Sequence, residues 1–309
     1  MMLPLSDWRE KSQGSGAKMG HYWFYGMVWF GLSACLPLQA SGQSVPPRHE
    51  GVSTATPVVL IYAGPPVCRD CEMPILQILQ QPQTPALKAL APKARVLRSW
   101  ADIPKALKTL PPRSVLLIPG TDDDLRAWAS GPQQMSRPTI VAIQRWLRAG
   151  GRYVGICGGA IVAQAEYEDG LSSFKALNIA PITADNFADE DAVERIEKVR
   201  WLPTGQIIGA YFQAGSVLQL LPSQERVEVL GHYLPSTGKV AHHGGIAAAQ
   251  FSYGQGKVFI TGVHLEAKHD FWDKPPADFV PHTELLEAVL VDLISQGGAI
   301  ERGGLNDPD

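Results

Sequence analysis

Cys157 stands at the end of an apolar run and inside the glycine-rich turn Arg152-Tyr-Val-Gly-Ile-Cys-Gly-Gly-Ala160. A strand that passes straight into a helix through a tight turn forces the corner residue into strained backbone, and Gly155, Gly158 and Gly159 are small enough to permit it. The corner side chain then projects above the sheet, where a substrate can reach it. Behind it the backbone N–H groups of Gly158 and Gly159 open a helix, and their positive potential favours both a thiolate and a developing oxyanion. The chemistry this predicts is attack by sulfur on a carbonyl carbon.

Such a nucleophile needs an imidazole to hold its proton, and the imidazole needs an acceptor on its other nitrogen. Further along, Lys257-Val-Phe-Ile-Thr-Gly-Val-His-Leu-Glu266 reads as a second buried strand that ends in His264, with Glu266 two positions on. Cys157 alone is compatible with an inert buried thiol. Two strand ends that carry Cys and then His-x-Glu favour a catalytic set: Cys157 as nucleophile, His264 as base and then acid, Glu266 as the orienting carboxylate.

These motifs resemble the Cys…His-x-Glu triad of class I glutamine amidotransferase-like domains, and more particularly the biotin-protein ligase N-terminal domain family. The resemblance covers the chain from about residue 56 and includes Tyr62-Ala-Gly-Pro65, Leu116-Leu-Ile-Pro-Gly120, Tyr211-Phe-Gln-Ala-Gly-Ser216 and Tyr253-Gly-Gln-Gly-Lys257. It implies an oxyanion hole from the backbone at Gly158 and at the Gly120 turn. It also implies a thiol-dependent amidase or amidotransferase-like hydrolase acting on a small amide or peptide, with no cofactor and no synthase partner encoded in this chain. The chain departs from the family pattern at Thr121, where a second glycine is usual and a Cβ restricts the backbone, and at Leu265, where proline is usual. The competing readings are a non-catalytic binding or regulatory domain on the same scaffold, and thiol-disulfide exchange through Cys68 and Cys71.

Cys68 and Cys71, in Val-Cys-Arg-Asp-Cys-Glu, follow the first strand at the mouth of the expected site. Their spacing matches a redox motif, but the rest of that fold's pattern is missing, so a structural or regulatory disulfide is the expectation. No metal is expected: His242-His243 lacks a carboxylate or thiol at ligand spacing and reads as an exposed turn. His269, Asp270 and Asp273 either line the site or form a solvated loop beside Trp272, and the loop is the expectation. Asp122-Asp123-Asp124 reads as helix N-terminal charge, and Trp128, Trp146 and Trp201 as packing residues.

With 309 residues, 45% hydrophobic and 18% charged, the chain can bury one substantial core. A formal net charge of -3 without a basic run excludes nucleic acid as an expected partner. The apolar run from Tyr22 to Ala34 is too short to span a bilayer and fits the core of an export signal. Leu32-Ser33-Ala34-Cys35 resembles a lipobox, with lipidation at Cys35 and a membrane tether; Leu38-Gln39-Ala40 offers an ordinary cleavage site instead. Either way the protein is expected to be exported, as a periplasmic protein or membrane-anchored lipoprotein. Residues 1–40 are then the signal segment, 41–56 a flexible linker, 57–296 the catalytic domain and 297–309 a tail.

The elements that must position the motifs follow from pattern. Strands are expected at 57–62, 94–98, 114–118 and 152–156, alternating with helices at 73–81, 103–110, 138–149 and 159–167. This predicts an α/β fold: a doubly wound, mostly parallel sheet of flavodoxin-like type, as in the class I glutamine amidotransferase-like domains. Strand runs from Arg195 to Gly262 predict an antiparallel extension in the C-terminal half, and Pro281 to Gln296 a final helix. Sites on such sheets lie beyond the carboxyl ends of the strands.

Overall fold

The computed structural model describes residues 55–121, 128, 135–168, 173–186, 194–221, 226–235 and 244–295. Cys35 and the rest of the signal segment, the linker up to residue 54, Asp122-Asp123-Asp124, His242-His243 and the tail lie outside the described residues.

Five strands form the parallel part of one sheet: β1 (Val58–Tyr62), β2 (Lys93–Leu97), β3 (Val115–Ile118), β4 (Arg152–Ile156) and β13 (Gly256–Thr261), in the spatial order β2-β1-β3-β4-β13. The helices α1 (Met73–Gln80) and α2 (Pro85–Leu90) connect β1 to β2. The chain returns across β1 to β3 through α3 (Ile103–Leu107), and α4 (Arg137–Arg148) leads on to β4. The order therefore reverses between β1 and β3, which opens a crevice at the carboxyl ends of the strands. β1, β3 and β4 are buried on both faces, as near-continuous apolar runs in a parallel sheet require.

Alternation along each strand sorts the core into two layers. Leu60, Leu116, Tyr153 and Ile260 face Ile103, Ile143 and Ile161, whereas Val59, Val115, Val154 and Phe259 face Ile75, Leu87 and Leu290. The first set lies under α3, α4 and α5 (Gly158–Ala163), and the second under α1, α2 and α6 (Thr283–Ser295).

Beyond β13 the sheet continues antiparallel through β12 (Ile246–Tyr253), β11 (Glu228–Tyr233), β8 (Arg195–Trp201) and β9 (Gln206–Phe212). β10 (Ser216–Leu220) pairs with β12 and with β7 (Ile182–Asn186). The expected antiparallel extension is thus present as part of the same sheet. Trp128 and Trp201 are buried in the core, and Trp146 packs against it.

The helix expected over 159–167 stops at Ala163. Its carbonyls are taken by the returning chain: Leu177 N–H donates to Val162 O, Ile179 N–H to Ala163 O and Asn178 N–H to Gln164 O. With those acceptors occupied, Glu166–Glu168 (β5) pairs instead with Ser173–Lys175 (β6) as a small hairpin. Helix α2 and strands β7 and β10 were not expected from the sequence.

Candidate active site

The carboxyl ends of β1, β3, β4 and β13 meet around one cavity of about 610 Å³. Cys157, directly after β4, has φ 52° and ψ −109°, a left-handed backbone that a residue with a Cβ seldom adopts. Its N–H donates to Thr261 O (2.8 Å), which carries the β4–β13 pairing up to the corner, and its carbonyl receives Ala160 N–H (2.9 Å) as α5 begins. The amides of Gly158 and Gly159 stand in the first turn of α5, where N–H groups have no intrahelical acceptor. Cys157 is a free, buried thiol.

His264 is delivered by the turn after β13, where Val263 N–H donates to Thr261 Oγ1 (3.2 Å) and His264 N–H to Tyr211 O (3.0 Å). Its Nδ1 is 2.8 Å from Glu266 Oε1, which leaves Nε2 as the free ring nitrogen, and Cys157 lines the same cavity beside it. Burial opposes charge on the imidazole, but Glu266 and Cys157 outweigh it and His264 is pushed up to about 10. At neutral pH it is therefore an imidazolium, donating from Nδ1 to Glu266 and carrying a second proton on Nε2. Glu266 is fully buried, and its Oε2 has no hydrogen-bond partner among the described residues. The imidazolium is thus the charge that compensates this carboxylate.

Gly120, which follows β3, lies against the ring: a Cβ there would stand 2.7 Å from His264 Cε1. Glycine is required because the imidazole approaches the backbone itself. At Gly158 a Cβ would be driven into the side chain of Thr121. Thr121 has no left-handed backbone to strain, so the restriction expected of its Cβ falls instead on the facing residue, which must be glycine. Cys68 and Cys71 are joined by a disulfide. Cys68 N–H donates to Gly120 O (3.3 Å), and Val67 bridges Thr121, so the disulfide loop is laid along the strand end that carries Gly120. Both half-cystines line the cavity, and buried Glu72, 2.8 Å from Arg98 Nη2, anchors the loop's far side.

The sequence reading missed several residues that complete the wall. The ring of Tyr211 meets that of His264 edge-on at 5.4 Å, and Phe271 packs at 5.2 Å from it. Tyr211 Oη–H has two acceptors in reach, Gln213 Oε1 (2.8 Å) and Glu194 Oε1 (3.2 Å). Burial, and then the Glu194 carboxylate, push the Tyr211 phenol well above its ordinary value, so it remains a donor. Tyr211 and Gln213 belong to a motif that the family resemblance already contained, whereas Glu194 and Phe271 carry no sequence signal. Asp270 lines the cavity, which corrects the expectation of a purely solvated loop; His269 turns away onto Phe279 (5.6 Å) and Asp273 contributes its N–H to Glu194.

The fold and site together define an α/β protein with a mixed sheet, mostly parallel at the site, and a buried Cys-His-Glu cluster at its strand ends. No family model matches the chain, and no curated protein matches it. Among solved structures it is similar to a glutamine amidotransferase at 18% identity, covering 67% of this chain and 90% of that one, with a TM-score of 0.42. A protein described as ThuA-like, from Bacteroides uniformis, aligns at 13% identity over 78% of this chain and 91% of that chain, with a TM-score of 0.43. A GH42 β-galactosidase from G. stearothermophilus aligns at 13% identity over 77% of this chain but only 30% of its own, with a TM-score of 0.41. None of the three carries an activity or a residue role over to this chain.

Proposed function

We propose that this protein is a thiol-dependent amidase or amidotransferase-like hydrolase acting on a small amide or peptide. The observation that carries the reading is Cys157 in strained backbone, on the same cavity as His264, which is held in turn by Glu266 at 2.8 Å. In this mechanism the Cys157 thiolate adds to the amide carbonyl, and the oxyanion is received by backbone N–H groups at Gly158 and the Gly120 turn. Loss of one such donor typically costs about 10² to 10³ in rate. His264 gives its Nε2 proton to the departing amine as the C–N bond breaks and a thioester forms. Neutral His264 then takes a proton from water, whose hydroxide releases the acid and regenerates the thiolate. Glu266 fixes the tautomer throughout.

The finer assignment to the biotin-protein ligase N-terminal domain family rests on the Gly-Ile-Cys-Gly-Gly and Val-His-Leu-Glu motifs. The strand order β2-β1-β3-β4-β13 supports a flavodoxin-like, doubly wound reading. Export as a periplasmic protein or as a lipoprotein tethered through Cys35 rests on the apolar run from Tyr22 to Ala34. Mass spectrometry of the mature protein tests it, and an intact Met1 or Met19 would sink it.

The central test is the rate of iodoacetamide alkylation at Cys157 against pH, in the wild type and in His264→Gln, which retains an amide to donate to Glu266. Labelling that is already fast well below about pH 8.5, the ordinary thiol value, and is lost in the variant supports the nucleophile. Labelling that tracks an ordinary thiol in both proteins removes the enzyme reading.

A further inference from the structure

Among the described residues, the charged side chains lining the cavity apart from Cys157 and His264 are Arg69, Asp70, Glu194 and Asp270. Arg69 and Asp70 are adjacent in the exposed disulfide loop and offset one another, so among the described residues Glu194 and Asp270 leave the wall net negative. Lys268, close by, directs its ammonium to Gln77 Oε1 (3.3 Å). Glu194 is the anion built into the site. It is half-buried, shares the Tyr211 Oη–H (3.2 Å) with Gln213 Oε1 (2.8 Å), and accepts the Asp273 N–H at 3.3 and 3.4 Å to its two oxygens. Both donors are neutral, so they fix the carboxylate in place without cancelling its charge. The same Tyr211 ring touches His264, which puts this fixed charge one tyrosine side chain away from the reacting centre.

We propose that Glu194 is a specificity-determining residue that selects substrates with an ammonium group a few bonds from the scissile amide, such as amino-acid amides and peptides with a free amino terminus. The inference deepens the amide-hydrolysing reading of this cavity and rests on it. An ammonium group donates to a pre-positioned carboxylate and neutralises it in a partly desolvated site. An acylated amine leaves Glu194 unpaired, and an anionic substrate meets repulsion, so the same residue rejects as well as attracts.

The test reads the charge of the cavity without requiring turnover. Aminoethyl and sulfonatoethyl methanethiosulfonate both transfer their thioalkyl group to a thiolate, forming a mixed disulfide as the S–S bond to methanesulfinate breaks. Their rates at Cys157 are measured by peptide mass spectrometry, each normalised to its rate with a small free thiol. The cationic reagent is expected to be favoured by about tenfold at low salt. The preference should fall by about threefold or more in Glu194→Gln and persist in Asp278→Asn, an exposed acid that does not line the cavity. In the wild type, which needs no variant to fold, it should shrink as salt rises from about 0.05 to 0.5 M. Equal normalised rates in the wild type, or a preference that Glu194→Gln leaves unchanged, overturn the proposal.

Hydrolysis of amino-acid amides and short peptides, each beside its N-acetyl counterpart, separates this inference from the reading beneath it. Equal turnover of free and acetylated forms overturns selection by Glu194 and leaves the hydrolase standing. A charge preference without turnover of any amide overturns the hydrolase and leaves a cavity that selects ammonium groups.

Discussion

At the scale of single residues, His264 joins chemistry to stability. Its folded-state value, pushed up to about 10, exceeds the ordinary imidazole value of about 6.5, so the proton is bound more tightly in the folded state. The stabilisation this provides is fully present below about pH 6.5 and is lost as pH rises through about 10. Urea unfolding of the wild type and His264→Gln is therefore expected to give a difference that narrows steadily over that interval. A difference constant with pH would mean that the folded protein binds no extra proton at His264. The experiment is informative because Glu266 is fully buried: with the imidazole neutral or absent, its charge has no compensating cation in contact among the described residues.

Between elements, the corner that follows β4 and the strand end that follows β3 are fitted to each other through Thr121 and Gly158. A Cβ at Gly158 would strike the Thr121 side chain, so Gly158→Ala is expected to cost about 1–3 kcal/mol of stability, as overpacking does. Thr121→Gly removes the obstruction and should return most of that loss in the double variant, measured as a coupling energy by chemical denaturation. Additive effects would show that the two strand ends are not in contact. The disulfide loop bears on the same junction from the other side, through Cys68 N–H to Gly120 O and the Val67–Thr121 bridge. Three segments far apart in sequence thus fix the position of one glycine beside the imidazole.

At the scale of the whole molecule, α6 ties the last described residues to the first crossover. Glu287, buried on α6, accepts the backbone N–H groups of Gln83 and Thr84 at 2.7 Å each, and so secures the start of α2. Glu287→Gln, which keeps one acceptor oxygen, is expected to cost about 1–3 kcal/mol, read as a lower urea midpoint at unchanged slope. No change in midpoint would show that this long-range tie adds nothing to stability.

Local chemistry determined which residues the sequence could reveal. Glycines around Cys157 mark a corner that only small neighbours permit, apolar runs mark strands buried on both faces, and His264 and Glu266 lie close enough together for their relation to be read directly. Tertiary structure alone decided the rest. The α5 helix ends at Ala163 because residues 177–180 return to take its carbonyls, and no property of the helix sequence announces that competition. Glu194 is held in the cavity by Tyr211 and the Asp273 N–H, contacts that the sheet extension and the loop after Glu266 bring together. Backbone strain and short-range pairing are encoded where they act, whereas the charge of a cavity is the sum of side chains that only the closed fold makes neighbours.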